Sequence, residues 1–483
     1  MKRQFFTHGF AYAGANLISS LSSILLVPIY THALPPADYG VVDFLVVVQT
    51  LVQICAGLEI TQGIARFFSG AATEADRREY ASTGLWFLLA SFATVCVLLY
   101  LAGLAGGAQF LGLGARTTVF AFALTSVYAR ILFYALQSQL RWELRSDLYS
   151  VASLVTVAAT VSLVAYLLLV RHDGLRGVFM GLTAGYGAGC AFCLFSLRHT
   201  YRWLFDREKF GEMLRFSLPL TFSSLALFCA AYGDRIILKE TLGFHDLGIY
   251  GIGARLAAAI TLVINGFQLG AAPLIYRHHG EPDTPAALAQ LLRLFLAACL
   301  IGVASLATFS IELLRLFTTP EYAAAWRLIP VLALAMVVAN LYVFVPGLTI
   351  RNMTTRFAAI NIATGAITLG MIAALLRLFG VVGAAAGVLC GAAAGFAMHA
   401  AASQRVYRIP IEWRRLAVGL LVTLATIAIG WTIGAPGVTS FGMRVLLFAG
   451  AAATLVAALS TGEERTLAQR AVSAGALSAW SRA

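Results

Sequence analysis

Charge is scarce in this chain: Asp, Glu, Lys and Arg make up 12% of its 483 residues, against about 25% in an ordinary soluble domain. A water-soluble fold of this length would lack its polar coat. Lysine is nearly missing. Lys2, Lys209 and Lys239 are the only three, and none follows a glycine-rich run, which excludes ATP hydrolysis through a Walker A loop. No H-E-x-x-H, no G-x-S-x-G and no clustered metal ligands occur, and the eight histidines are scattered. No catalytic residue, metal or cofactor is therefore expected, and the chain is not expected to be an enzyme. Short alternating strands are absent, which excludes a membrane β-barrel. The seven cysteines all fall in apolar stretches. Cys190 and Cys193 form a C-x-x-C without a second pair, which reads as small apolar helix residues rather than a metal or redox site.

What the chain does hold is apolar sequence: 60% hydrophobic residues and a mean hydropathy of +0.83. It comes in stretches of roughly 20 residues, the length that crosses a bilayer core as helix. About 14 spans are predicted, at 9–34, 41–68, 81–103, 117–140, 148–170, 175–197, 214–238, 246–276, 288–312, 325–349, 355–377, 380–402, 414–433 and 442–460. The first resembles a signal peptide, but its length and Asn16 favour a retained helix. The loops are too short for a soluble domain. The net charge of +12 raises nucleic acid as a partner, but no nucleic acid is expected, because the basic residues follow membrane topology. With the N-terminus in the cytoplasm, the inner loops hold 22 Lys and Arg, from Lys2 and Arg3 to Arg482. The outer loops hold six, Arg116, Arg171, Arg176, Lys239, Arg315 and Arg377. This asymmetry predicts both termini in the cytoplasm.

The chain repeats itself. A shift of 208 places Leu34, Asp38 and Gly40 on Leu242, Asp246 and Gly248. A shift of 206 places Gly174, Gly177, Gly181, Gly185 and Gly189 on Gly380, Gly383, Gly387, Gly391 and Gly395, and Tyr201-Arg202 on Tyr407-Arg408. The period is six helices. An even period leaves both halves in one orientation, related by an axis along the membrane normal. The predicted organisation is a six-helix bundle over 1–205, a second over 206–408, two more helices over 409–460 and a cytoplasmic tail over 461–483. The fourfold glycine spacing has a packing role, since small residues let helices approach closely in lipid; motion is the alternative.

Polar groups inside spans are costly and mark cavities or partners. Asn16 shares a face of the first span with Tyr12 and several serines, ahead of Pro28. The second span carries Asp43, Gln49, Thr50 and Gln53 on one face and Glu59, Gln62 and Arg66 on another, with Gly57 between them; a bend at Gly57 would aim both sets at one cavity. Arg130 lies near the middle of the fourth span. It suits either an anion in a cavity or an ion pair with Glu59 or Asp43. Asp234-Arg235 ends the seventh span and suits a salt bridge or a gate. Arg255 opens the eighth, followed on one face by Thr261, Asn265 and Gln268. Asn340, Asn361 and His399 read as packing polars. Guanidinium binds phosphate through paired hydrogen bonds, and amides and hydroxyls suit sugars. The candidate substrate-binding set is Arg130, Arg255, Asn16, Gln53, Glu59, Asn265 and Gln268. The candidate coupling or gating set is Asp43, Glu59, Arg66, Asp234 and Arg235.

Asn16, the run Val27-Pro28-Ile29-Tyr30-Thr31, the loop Leu34-Pro-Pro-Ala-Asp-Tyr-Gly40, Gly57-Leu58 and Arg66-Phe67-Phe68 form a pattern. So do Ser217-Leu-Pro219 through Asp234-Arg235, Leu247-Gly-Ile-Tyr250, Arg255 and Pro273. The pattern covers most of the chain and resembles the polysaccharide transporter branch of the MOP flippases, the Wzx-type O-antigen flippases. The resemblance implies an all-α membrane protein with a V-shaped pair of six-helix bundles that alternate between inward- and outward-open states. It implies an undecaprenyl-pyrophosphate-linked oligosaccharide as cargo, for O-antigen, capsule or exopolysaccharide. It also implies a bacterial cytoplasmic membrane and a cationic cavity onto which Arg130 and Arg255 map by position. The last two helices would be variable, with a groove for the lipid tail. Glycosyltransferases and a polysaccharide polymerase would be partners, beside membrane lipid. The alternatives are a lipid II flippase, a cation-coupled multidrug antiporter that would use Asp43 or Glu59, and a membrane glycosyltransferase or ligase, which would need a larger outer loop.

Overall fold

The computed structural model describes residues 25–105, 117–268, 281–351, 353–433 and 438–460. Among the described residues there is helix and no strand, as lipid dictates, since it leaves a spanning backbone only its own hydrogen bonds. In chain order the helices are α1 (25–33), α2 (Pro36–Gly57), α3 (Ile60–Gly70), α4 (Glu74–Leu104), α5 (Thr117–Trp142), α6 (Ser146–Ala165, extended by a π turn to Val170) and α7 (Gly174–Ser196). Then follow α8 (Arg207–Leu242), α9 (Phe244–Ala257, continued to Gln268), α10 (Thr284–Phe317), α11 (Leu328–Ala339), α12 (Thr354–Gln404), α13 (Trp413–Thr432) and α14 (Val438–Leu459).

Eleven described helices are long and apolar enough to cross a membrane, and α8, bent by 51° between Arg207–Cys229 and Ala231–Leu242, makes twelve. The 51 residues of α12 would extend about 75 Å at 1.5 Å per residue, over twice a bilayer core of about 30 Å. This helix instead folds back at Gly380 (φ 59°, ψ −141°), so it holds the eleventh and twelfth predicted spans. The first predicted span is described only from Leu25; the rest of it, including Asn16, lies outside the described residues, as does Pro273.

Helix starts follow local chemistry. The Thr73 hydroxyl oxygen accepts from the Asp76 amide at 3.1 Å and opens α4. The Asp206 carboxylate accepts from the amides of Glu208 and Lys209 at 2.9 and 3.0 Å and opens α8. Such caps satisfy donors that have no partner within the helix.

The chain packs as two compact units. One takes the described residues up to Ile252 with Phe317–Tyr322. That short segment belongs there because Thr31 donates to the Phe317 carbonyl (2.9 Å), Thr319 to the Thr31 carbonyl (3.1 Å) and Tyr322 to the Leu34 carbonyl (2.9 Å). Its core includes Leu136, Leu140, Ala152, Cys190, Cys193 and Leu197, so the C-x-x-C is buried packing. The second unit takes the described residues of Gly253–Leu316 and from Ala323 onward. Its centre is α10, where Phe295, Leu296, Cys299, Leu300, Val303 and Ala304 are fully buried. The two last helices are pinned to it by charge: Arg293 reaches Glu412 at 2.9 Å, and Arg444, 1% exposed, pairs with Glu312.

The repeat is visible as packing. In the first unit Gly181, Gly185 and Gly189 lie against Val164, Thr160 and Thr156; in the second, Gly387, Gly391 and Gly395 lie against Ile372, Thr368 and Thr364. Each partner is displaced by 208. The turn glycines Gly174 and Gly380, also in register, both have positive φ, 54° and 59°. The glycine faces therefore pack two equivalent hairpins. A methyl group at Gly185 or Gly391 would run into the Thr160 or Thr368 side chain and backbone, whereas Gly187, on the open face of α7, has nothing within 4 Å. Gly185→Ala and Gly391→Ala are expected to cost about 1–3 kcal/mol by overpacking. Gly187→Ala should instead stabilise its helix by about 0.5–1 kcal/mol. Thermal unfolding in detergent checks the opposite signs.

Candidate functional site

The strongest concentration of buried charge lies in the first unit, where α2, α8 and α9 meet. Asp43 is 5% exposed and receives the Arg235 Nε–H at 3.2 Å. Arg235 also pairs with Asp234, Nη1 lying 3.3 Å from both carboxylate oxygens, and the Arg235 amide donates to Asp234 Oδ1 at 2.7 Å. The Tyr250 hydroxyl donates to Asp234 Oδ2 at 2.7 Å. The rings of Tyr232 and Tyr250 flank the guanidinium at 5.7 and 5.9 Å. One guanidinium thus serves two carboxylates. Three of the residues predicted for coupling or gating come together here. Gly251 covers Asp43: a Cβ there would lie 2.9 Å from Asp43 Cγ.

One turn away, α2 and α9 touch through their backbones. A side chain on Gly40 would strike the Phe244 carbonyl, and one on Gly248 would strike the Pro36 carbonyl. Pro36 and Phe244 differ by 208, as do Gly40 and Gly248. The contact is therefore reciprocal, the two repeat-related helices meeting about a local two-fold. The loop motif that marks the repeat in the sequence is where the repeats join.

The second predicted span is broken. Leu58 (φ 48°) and Glu59 (φ 51°) are both left-handed, a conformation that costs about 1–3 kcal/mol for a residue other than glycine. α2 ends and α3 begins at this point. Ser91 donates to the freed Ala56 carbonyl at 2.7 Å. A cavity of about 20 Å³ beside the break is lined by Gln53, Glu59, Thr61 and Tyr134 among others, space for one water. Glu59, half-buried at the N-cap of α3, has no ion pair among the described residues; the positive end of the helix dipole favours its charge.

Arg130 does not pair with either acid that the sequence made available. Asp43 is engaged by Arg235, and the Arg130 guanidinium lies 5.7 Å from the Tyr186 ring centre with no carboxylate partner among the described residues. Arg66 is exposed and caps the Phe216 ring at 4.4 Å, apart from the Asp43 cluster. In the second unit Arg255 is half-buried and Asn265 exposed. Gln268 donates to Asn340 at 2.8 Å, so this candidate is bonded within its own unit.

The sequence did not reveal four features: the glycine contact, Arg235 as the partner of Asp43, Tyr250 as a ligand of Asp234, and Arg444–Glu312. The first was within reach, because the shift of 208 that aligns Gly40 with Gly248 also places Asp43 on Gly251.

Compared with known proteins, residues 7–279 match the family model described as polysaccharide biosynthesis protein. No curated protein matches the chain. Among solved structures, an inward-facing multidrug resistance MATE family transporter of the MOP superfamily is similar at a TM-score of 0.67 and 13% identity, covering 80% of this chain and 94% of its own. The lipid II flippase MurJ, inward closed, is similar at 0.66 and 12% identity, covering 93% and 98%. The Vibrio cholerae MATE transporter VcmN in its bent form is similar at 0.51 and 17% identity, covering 84% and 97%. At such identities the shared property is the fold, that of a multi-pass membrane transporter.

Proposed function

Since the chain belongs to the polysaccharide biosynthesis protein family and has a MOP transporter fold, we propose that it is a flippase for undecaprenyl-pyrophosphate-linked oligosaccharide in the bacterial cytoplasmic membrane. The glycan would serve O-antigen, capsule or exopolysaccharide assembly. The observation that carries the cargo class is Arg130, an intramembrane guanidinium without a carboxylate partner among the described residues. Such a charge is costly in lipid and is stabilised by an anionic headgroup.

In this reading both termini are cytoplasmic and the repeats 1–205 and 206–408 are the moving halves, with 409–460 as an appendage. Arg130 and Arg255 each offer a guanidinium to phosphate oxygens. Asn16, Gln53, Asn265 and Gln268 meet sugar hydroxyls. The Asp43–Arg235–Asp234 cluster and the Gly40–Gly248 contact latch the outer end of the first unit and separate when the site opens outward. An anion leaving the cytoplasm moves with the membrane potential, a gain of ~2.3 kcal/mol per charge per 100 mV.

Depletion in cells tests the reading. Lipid-linked glycan is expected to accumulate on the cytoplasmic leaflet, with glycosyltransferase and polymerase activities intact. Continued appearance of the glycan outside would remove the proposal. A second reading, cation-coupled drug antiport, draws on Glu59, a carboxylate at a broken span with no ion pair among the described residues. It predicts loss of dye resistance in the same depleted cells.

A further inference from the structure

A separate cavity of about 530 Å³ opens where the end of α3, the start of α4, the α5–α6 turn and the α7–α8 loop converge. All four segments lie at one end of their spans, which the charge asymmetry places at the cytoplasmic surface. The cavity is lined by Arg77, Arg78, Arg145 and His199 with two acids, Glu74 and Glu143.

The acids are already engaged. Glu74 accepts from Arg77 at 2.6 Å. Glu143 Oε1 accepts from Thr200 at 2.7 Å and Gln139 at 3.2 Å, while Oε2 lies 3.7 Å from Arg145. Donors remain in excess. Arg78 has no hydrogen bond or ion pair among the described residues, although both acids line the same space. Arg77 Nε is buried without an acceptor. His199 accepts from Arg198 through Nε2 at 3.1 Å, which leaves its Nδ1–H to donate.

One wall is apolar. Trp142 and Phe68 line it, and Leu144, 65% exposed, is held at φ 58°. Surplus guanidinium and imidazole donors fit the oxygens of a phosphate. An apolar rim with a tryptophan at a membrane surface fits the start of acyl chains.

We infer that this cavity is a binding site for the phosphate of an anionic phospholipid of the cytoplasmic leaflet, separate from the transport cargo. The placement in that leaflet rests on the orientation given above; the site itself does not depend on flippase activity.

Native mass spectrometry of the full chain, released from bilayers containing dioleoylphosphatidylglycerol, tests this. Arg78→Gln is expected to lower retained phosphatidylglycerol about tenfold, as loss of one charge-assisted phosphate contact implies. Arg207→Gln, which removes the same charge from an exposed residue outside the cavity, should leave retention unchanged. Arg78 has no hydrogen bond or ion pair among the described residues, so both variants should keep the wild-type unfolding midpoint. Displacement of the lipid from wild-type protein by millimolar inorganic phosphate would make the free ion a competing occupant of the same donors; no displacement makes the lipid the sole one. Wild-type retention in Arg78→Gln, or an equal loss in Arg207→Gln, overturns the site whatever transport assays give.

Discussion

Arg235→Ala is expected to destabilise the protein by about 3–5 kcal/mol, the usual cost of leaving buried charge uncompensated. The reason is the count of charges. Asp43 and Asp234 both lie against this guanidinium at 3.2 and 3.3 Å, so its removal takes one positive charge from two adjoining acidic side chains. Asp43→Asn should cost much less, because Arg235 keeps Asp234 and the pair stays neutral. Replacing all three by Leu, Leu and Met should return much of the lost stability, since apolar packing of similar volume often equals or exceeds a buried ion pair. The latch proposed for this cluster would then be lost, and transport with it. Unfolding midpoints in detergent, set beside transport rates, check the order: Arg235→Ala lowest, Asp43→Asn near wild type, the triple variant stable and inactive. Equal losses in the two single variants would contradict the shared-guanidinium account.

Arg130→Ala is expected to reduce transport about a hundredfold while membrane abundance stays at the wild-type level. Each charge-assisted hydrogen bond is worth about 1.5–3 kcal/mol, and a guanidinium makes two to a phosphate; about 1.4 kcal/mol is a factor of ten. Abundance is spared because no acid among the described residues depends on Arg130, whose described contact is the Tyr186 ring. Arg130→Lys should recover part of the rate, since it restores the charge without the planar fork. Arg255→Ala is expected to impair transport in the same direction. Initial rates in proteoliposomes, normalised to inserted protein, measure both.

Much of the scaffold was legible before any coordinates. Span length depends on lipid, which enforces its rules uniformly. The glycine spacing predicted close helix packing in register in both halves, and the structure packs Gly185 on Thr160 and Gly391 on Thr368. The bend predicted at Gly57 is a break one residue further on, at Leu58 and Glu59. What stayed hidden was partnership. Arg235 reaches Asp43 across 192 positions, and Arg444 reaches Glu312 across 132. Single polar residues in apolar runs announce that they need a partner but not which one, because the choice is made by helix packing. Gln268 is a further case: its spacing marked a polar face, and the structure adds Asn340 as its partner.

Movement of the cargo across a bilayer can be measured directly. Purified protein in proteoliposomes would be loaded with labelled undecaprenyl-pyrophosphate oligosaccharide, and label crossing the bilayer followed with and without a pH gradient. The account predicts movement in wild-type vesicles and almost none with Arg130→Ala, with any response to the gradient abolished by Glu59→Gln. No movement of the glycan, together with export of a cationic dye by the same vesicles, would contradict it and assign the fold to drug antiport.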